Sequence, residues 1–185
     1  MKKPKNLQIL PLGVCLSIDS ALEALKNIPP MNSEFMKKAI QLSEEKMQAG
    51  VGGPFGAVIV KDQKIIAEGW NKVTSSNDPT AHAEVVAIRK AAEVLGTFDL
   101  SGCEIYSSCE PCPMCLSAIY WARLEKIYFA NTRFEAAKIG FDDNFLYEEV
   151  VKPIETRSIP TLHTPDKEAQ RVFSAWENKS DKIEY

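Results

Sequence analysis

Histidine is scarce: His82 and His163 are the only two in 185 residues, so a site built on imidazole has two candidates. No apolar run approaches the roughly 18 residues that a membrane-spanning helix needs. Positive charge is not in excess, with 22 Lys and Arg against 25 Asp and Glu. The resulting net charge of -3 argues against a strongly basic nucleic-acid module. Repeats and low-complexity tracts are missing. A disulfide framework is missing too, because the 5 cysteines are odd in number and four of them, Cys103, Cys109, Cys112 and Cys115, crowd together. Cys15 stands apart as a small thiol without a role. What is present is average for a globular protein, 45% hydrophobic and 25% charged residues, which excludes global disorder. One domain fits the length, and folding would bury about 70% of the unfolded chain's surface without help from disulfides.

Residues 1–30 differ from the rest. They open Met-Lys-Lys-Pro-Lys and continue with an apolar run over 9–18, interrupted by Pro11. That outline resembles a signal peptide, but Asp19 and Glu23 follow at once and no small-x-small cleavage site appears. Val14 before Cys15 also departs from a lipoprotein box. The segment reads as an extension, weakly ordered or docked through a short helix over 20–26, with Met31 as an alternative start. From there to residue 185 the pattern is that of a single domain. Asn32 or Ser33 caps a helix whose face carries Phe35, Met36, Ala39, Ile40, Ser43 and Met47, with Gly50 as its stop. Strands follow over 57–60 and 65–70, joined at Asp62-Gln63. A polar loop over 71–79 leads to a helix over 80–95 ended by Gly96, then a strand over 103–107. Pro111 and Pro113 fall in the first turn of a helix over 111–122, where a missing N–H costs nothing. A fourth strand over 126–130, a short helix over 133–139 and an amphipathic helix with Thr164 as N-cap complete the chain. Strands alternating with helices predict an α/β layered domain with a mixed sheet.

The chemistry concentrates at two helix starts. One opens Thr80-Ala-His82-Ala-Glu84 and the other Glu110-Pro-Cys112-Pro-Met-Cys115. One imidazole and two thiolates make three zinc ligands, and the positive end of a helix dipole favours thiolate over thiol. Three protein ligands leave the fourth position to water, whose pKa such a metal lowers to about 7. Glu84, two residues beyond His82, lies near the metal and is suited to carry protons between that water and a substrate nitrogen. A structural zinc site with Cys109 as fourth ligand would leave Glu84 without a task, and a redox Cys-x-x-Cys would leave His82 without one. Cys103 and Cys109 read as packing residues at strand ends, His163 as a surface residue, and the glycines of Gly52-Gly-Pro-Phe-Gly as a tight turn.

Several continuous blocks carry a family resemblance. They are Gly52-Gly-Pro-Phe-Gly-Ala-Val-Ile-Val, Ser76-Asn-Asp-Pro-Thr-Ala-His-Ala-Glu, Ser108-Cys-Glu-Pro-Cys-Pro-Met-Cys, Ala118-Ile-Tyr-Trp-Ala-Arg and Gly140-Phe-Asp-Asp, with the closing Tyr185. His-x-Glu followed by Pro-Cys-x-x-Cys is the signature of zinc nucleobase deaminases. On these residues the chain resembles the cytidine-deaminase superfamily over 31–185, and within it the small bacterial guanine deaminases. The resemblance implies a three-layer α/β/α sandwich with a mixed five-stranded sheet. It implies Zn2+ held by His82, Cys112 and Cys115, with Glu84 and Asp143 as catalytic residues. Asn71, Phe55, Trp121 and Tyr185 would bind the substrate, a purine base. The C-terminal segment would exchange between the subunits of a homodimer, so that Tyr185 closes the partner's pocket. The activity implied is deamination of guanine to xanthine and ammonia in the cytoplasm, without membrane or nucleic acid. Guanosine deaminase is the nearest rival, and cytidine-type deaminases are disfavoured by the Gly140-Phe-Asp-Asp block. A tRNA adenosine deaminase needs clustered basic residues, whereas the chain beyond residue 30 carries a net charge of -5 once the +2 of the extension is set aside. A zinc-binding interaction module without activity is disfavoured by the presence of Glu84.

Overall fold

Small residues decide how closely the layers of this protein approach. The computed structural model describes residues 32–184. Residues 1–31 and Tyr185 lie outside them, and with them the expected extension, its short helix and Met31.

Helix α1 spans Ser33–Gln48, with the Asn32 side chain accepting a hydrogen bond from the Glu34 N–H at 3.0 Å. It buries Phe35, Met36, Ala39 and Leu42, whereas Ile40 and Met47 of the expected face are exposed. The sheet runs β1 Gly56–Lys61, β2 Lys64–Trp70, β3 Cys103–Cys109 and β4 Lys126–Asn131, in the order β2-β1-β3-β4. Strands β1 and β2 form a hairpin across Asp62 and Gln63, both with positive φ, the backbone a two-residue turn requires. Strand β1 pairs antiparallel with β3, and β3 pairs parallel with β4, so the sheet is mixed as expected.

Helix α2 (Val73–Ser76) is a single turn inside the expected loop. Helix α3 (Ala83–Leu95) and α4 (Pro113–Trp121) follow, and both pack on the sheet face opposite α1. Ala83, Ala87 and Ala91, four residues apart, present a shallow stripe to the sheet. Gly69 completes the contact, since a Cβ there would stand 2.2 Å from the Ala83 carbonyl oxygen. On the other face Phe35, Met36, Ala39 and Leu42 of α1 cover Val58, Val60 and Tyr106. The three-layer sandwich is thus present.

The sheet corrects one expectation: it has four strands, not five, among the described residues. Beyond Asn131 the chain turns helical because Thr132 and Glu135 form a reciprocal capping box that starts α5 (Arg133–Lys138). Helix α6 (Asn144–Val151), a 3-10 turn (Ile154–Thr156) and α7 (Lys167–Glu177) come after it. Pro153, Pro160 and Pro165 interrupt the intervening stretch and deny it ladder donors. The N-cap of α7 is Asp166 and not Thr164, its side chain accepting from the Glu168 N–H at 2.7 Å.

Candidate active site

The two helix starts singled out in the sequence meet beside one cavity. His82 is the N-cap of α3 and Cys112 the N-cap of α4. Each carbonyl accepts the first intrahelical bond, from Val86 at 2.9 Å and Leu116 at 2.8 Å. Neither side chain caps its own helix, so both are released to face the cavity. The expected helix over 80–95 starts later because Asp78 accepts from the Thr80 N–H at 2.8 Å and holds the chain in a turn. Pro113 takes the first helical position, and Cys115 comes third. The N-cap and third helical residue face each other across the first turn, the geometry a capping box exploits, so Cys-x-x-Cys here puts two sulfurs on one side.

The ligating atoms of His82, Cys112 and Cys115 all lie within 4.8 Å of one another. Cys112 Sγ stands 3.6 Å from His82 Nδ1. A tetrahedral zinc with bonds of about 2.05 Å to nitrogen and 2.3 Å to sulfur separates those atoms by about 3.6 Å. The donor set therefore fits zinc in ligand type, and the His82–Cys112 pair fits it in spacing. Hydrogen bonding from Cys115, and then from His82, brings the Cys112 thiol down to about 4, so it is a thiolate at neutral pH. His82 is raised, chiefly by its bond to Cys112. Cys115 is raised by Cys112 and by burial, and its thiol donates to Glu84 Oε2 at 3.4 Å. Metal binding must displace that proton. Cys109, pushed up to about 11 by burial, stays a neutral thiol outside the cluster. Cys103 and Cys109 are buried at the two ends of β3, and His163 is exposed.

Glu84 is the second residue of α3 and only 6% exposed. Ser107 donates to its Oε1 at 3.2 Å, and burial raises its carboxyl above the ordinary range. A buried carboxyl with a raised pKa beside three potential metal ligands has the chemistry to take and return a proton.

The cavity measures about 620 Å³ and is lined by Phe55, Asn71, His82, Glu84, Cys112 and Asp143. Asn71 is buried, and its Oδ1 accepts from the N–H groups of Gly53 at 3.4 Å and Val73 at 3.2 Å. That fixes the amide's orientation and leaves its NH2 as a donor. Gly52 makes this possible: a Cβ there would lie 1.9 Å from the Asn71 carbonyl oxygen. Its role is close approach, and not only the tight turn read from the sequence. Phe55 meets Phe141 edge-to-face, centroids 4.9 Å apart at 89°. Asp143 precedes α6 without capping it, and burial followed by the Cys112 charge raises its carboxyl.

Seven of the nine residues singled out in the sequence thus share one place, with Cys115 reaching it through the ligand cluster. Trp121 does not. It closes the far end of α4, half-exposed, and lines no part of the cavity, because six residues of helix carry it away from Cys115. Tyr185 lies outside the described residues. Sequence reasoning gave no role to several cavity residues, Glu110 and Arg133 among them. Glu110 Oε2 accepts from the Arg133 N–H at 3.0 Å, and the Arg133 guanidinium sits 4.2 Å over the Tyr147 ring. Nothing in their spacing marks them; only the fold brings the start of α5 back to the start of α4.

Known proteins share this arrangement. The cytidine and deoxycytidylate deaminase zinc-binding region matches residues 30–131. Guanine deaminase of Bacillus subtilis (strain 168) is 57% identical over 156 residues, covering 84% of this chain and 100% of that protein. An X-ray structure of guanine deaminase from Bacillus subtilis superposes with a TM-score of 0.82 at 56% identity, over 84% of this chain and 99% of that one. A guanine deaminase from Nitrosomonas europaea superposes with a TM-score of 0.58 at 29% identity, over 71% and 77% of the two chains. The tRNA-specific adenosine deaminase of Aquifex aeolicus is 43% identical over 96 residues, 52% of this chain and 63% of its own.

Proposed function

The chain belongs to the cytidine and deoxycytidylate deaminase zinc-binding family, and from that premise we propose that it hydrolyses guanine to xanthine and ammonia, with zinc as its cofactor. The observation that carries the reaction is the buried carboxyl of Glu84, packed against the cluster of His82, Cys112 and Cys115 at the cavity wall. Guanine as the base rests on identity that spans the whole length of a guanine deaminase.

His82, Cys112 and Cys115 hold the metal, which when bound supplies the Lewis acidity that makes water nucleophilic near neutral pH. Glu84 takes a proton from the attacking water and delivers it to N3 of guanine. It then carries a proton to the amino group on C2, which leaves as ammonia while the water oxygen stays on the ring. Its raised pKa suits both halves of this cycle, because the carboxyl can hold the proton between transfers. Ser107 keeps the carboxylate pointed by donating to the oxygen that Cys115 does not use. Phe55, braced edge-on by Phe141, offers a ring for the base to stack on. Asn71 donates its NH2 to a ring acceptor, and a base without one there would leave that amide unpaired. Asp143 stands at the cavity wall as the acceptor for the departing amino group.

The active form proposed is a homodimer with exchanged C-terminal segments. What supports it is the apolar surface left open on the C-terminal arm: Ile159, Leu162 and Phe173 are 78%, 84% and 80% exposed. Tyr185 of each arm would then close the partner's cavity. A cytoplasmic setting accords with four cysteines free of disulfides in the described chain. None of the described helices is long and apolar enough to cross a membrane.

The test is Glu84→Gln. The amide is nearly isosteric and cannot carry the proton, so zinc content should stay at one per chain while guanine turnover falls by about 10²-fold or more. Near-normal turnover in this variant would return Glu84 to a structural role.

A further inference from the structure

Far from the ligand cluster in chemistry, though next to it in sequence, three lysines converge on one indole. Trp70 is the last residue of β2, the edge strand of the sheet. Lys46 from the last turn of α1 stands 4.5 Å from its ring centroid, Lys72 4.7 Å and Lys90 of α3 4.3 Å. The three come from three elements, and two of those lie on opposite faces of the sheet. This is therefore not the charge run of one solvated helix face. It is a point where the fold gathers cations.

The gathering is not neutralised. Among the described residues, none of the three ammonium groups has a carboxylate within ion-pair distance. Glu68, the acidic group nearest in electrostatic effect, is bridged by Lys38 at 3.2 Å. Lys90 donates instead to the Glu68 backbone carbonyl at 2.9 Å. Burial lowers the Lys90 pKa, with Lys72 and Lys46 adding repulsion. The indole face offsets part of that repulsion through its quadrupole but supplies no countercharge. Like charges held this close, on a chain whose net charge is -3, leave a local excess that an anion would relieve.

We propose that Lys46, Lys72 and Lys90, arrayed around Trp70, form a binding site for the phosphate groups of a small polyphosphate, behind the wall of the active-site cavity. Three ammonium groups carry nine N–H donors, of which Lys90 spends one on the Glu68 carbonyl, and the rest match an anion that presents several oxygens at once. The compact trio favours a diphosphate or triphosphate over a lone monoanion, which one lysine would satisfy. Occupancy has a structural consequence. Lys72 follows Asn71, and Lys90 rides on the helix that carries Glu84, so a bound polyphosphate ties α1, α3 and the Asn71 segment into one body.

The experiment uses the zinc-loaded, full-length protein at physiological chloride, where screening removes the response of unfocused surface charge. Inorganic phosphate, pyrophosphate, tripolyphosphate and a purine nucleoside triphosphate are titrated by calorimetry, with thermal unfolding as a second readout. Pyrophosphate and tripolyphosphate should bind saturably with a Kd below about 1 mM, and should raise the unfolding midpoint by about 2 °C or more. Lys46→Gln combined with Lys90→Gln should weaken binding about tenfold or more, with guanine turnover in the absence of anion unchanged. Lys46→Arg with Lys90→Arg should keep the binding. Equal affinity for tripolyphosphate and the nucleotide supports a site that reads phosphate alone, and tighter nucleotide binding supports one that also holds the base. Undiminished binding in the glutamine variant, or no saturable binding at all, overturns the proposal. So does binding of a short single-stranded RNA without binding of pyrophosphate, which would make the patch a polymer surface.

Discussion

Two kinds of residue make the cavity, and they were not equally legible. His82, Glu84, Cys112 and Cys115 announce themselves because their chemistry is rare and their spacing is fixed by the first turn of a helix. Cys112→Ala should weaken zinc binding by at least about tenfold and remove guanine turnover with it; metal analysis of the purified variant checks this, and full zinc occupancy would withdraw the ligand assignment. Gly52 is the opposite case. Its sequence context, Gly-Gly-Pro, says only that the chain turns, whereas the structure shows the Asn71 carbonyl filling the space of a side chain. Gly52→Ala should push the Asn71 segment outward, raising KM for guanine and costing about 1–3 kcal/mol of stability. An unchanged KM would show that Asn71 does not depend on this contact. The contact between Arg133 and Glu110 was not legible, because a charged residue beside a strand end is ordinary until the chain returns to it.

At the scale of elements, the alternation of strands and helices was readable, and their edges were less so. Helix α3 was expected over 80–95, and the turn at Asp78 delays it to Ala83, a side-chain competition that periodicity does not see. Helix α1 was expected to bury Ile40 and Met47, but both are exposed and Leu42 is buried beside Phe35, Met36 and Ala39. Helix α6 was missed, as it packs none of its side chains deeply enough to enforce a clear period. The seating of α3 on Gly69 is testable. Gly69→Ala would bring a Cβ to 2.2 Å from the Ala83 carbonyl, directly before Glu84. Thermal unfolding should fall by about 4 °C or more, with zinc affinity weakened in parallel; equal stability would mean the helix sits less tightly than described. The C-terminal end of α6 has its own anchor. Lys152, and then the N–H and hydroxyl of Ser158, hold the Glu149 carboxyl down to about 2, against an ordinary 4.5. A depressed carboxyl stabilises above the ordinary value and loses that contribution as pH falls through the folded one. The Ser158 amide resonance should therefore shift as pH is lowered from 4.5 toward 2, and a flat profile would exclude the anchor.

At the scale of the whole molecule, the described chain divides into a packed sandwich and an arm. The five-stranded sheet implied by resemblance is four-stranded among the described residues, and the helix expected over 133–139 follows its last strand as α5, started by the Thr132 capping box. The arm beyond α6 is apolar and open at Ile159, Leu162 and Phe173, the surface expected of a segment that packs on a second copy. Ending the chain at Lys182 should therefore leave zinc binding and unfolding of the sandwich intact while guanine turnover falls. Mixing that truncated protein with Glu84→Gln under refolding conditions should restore part of the activity, through heterodimers that carry one complete site. Full turnover by the truncated protein alone would dismiss the exchanged arm. The central claim, that this cavity deaminates guanine, is met most directly by ammonia release from the zinc-loaded enzyme offered guanine, guanosine, adenine, cytosine, cytidine and deoxycytidylate in parallel. The account predicts release with guanine, with xanthine formed in equal amount, and little from the others; release from cytidine or adenine in preference to guanine would contradict it.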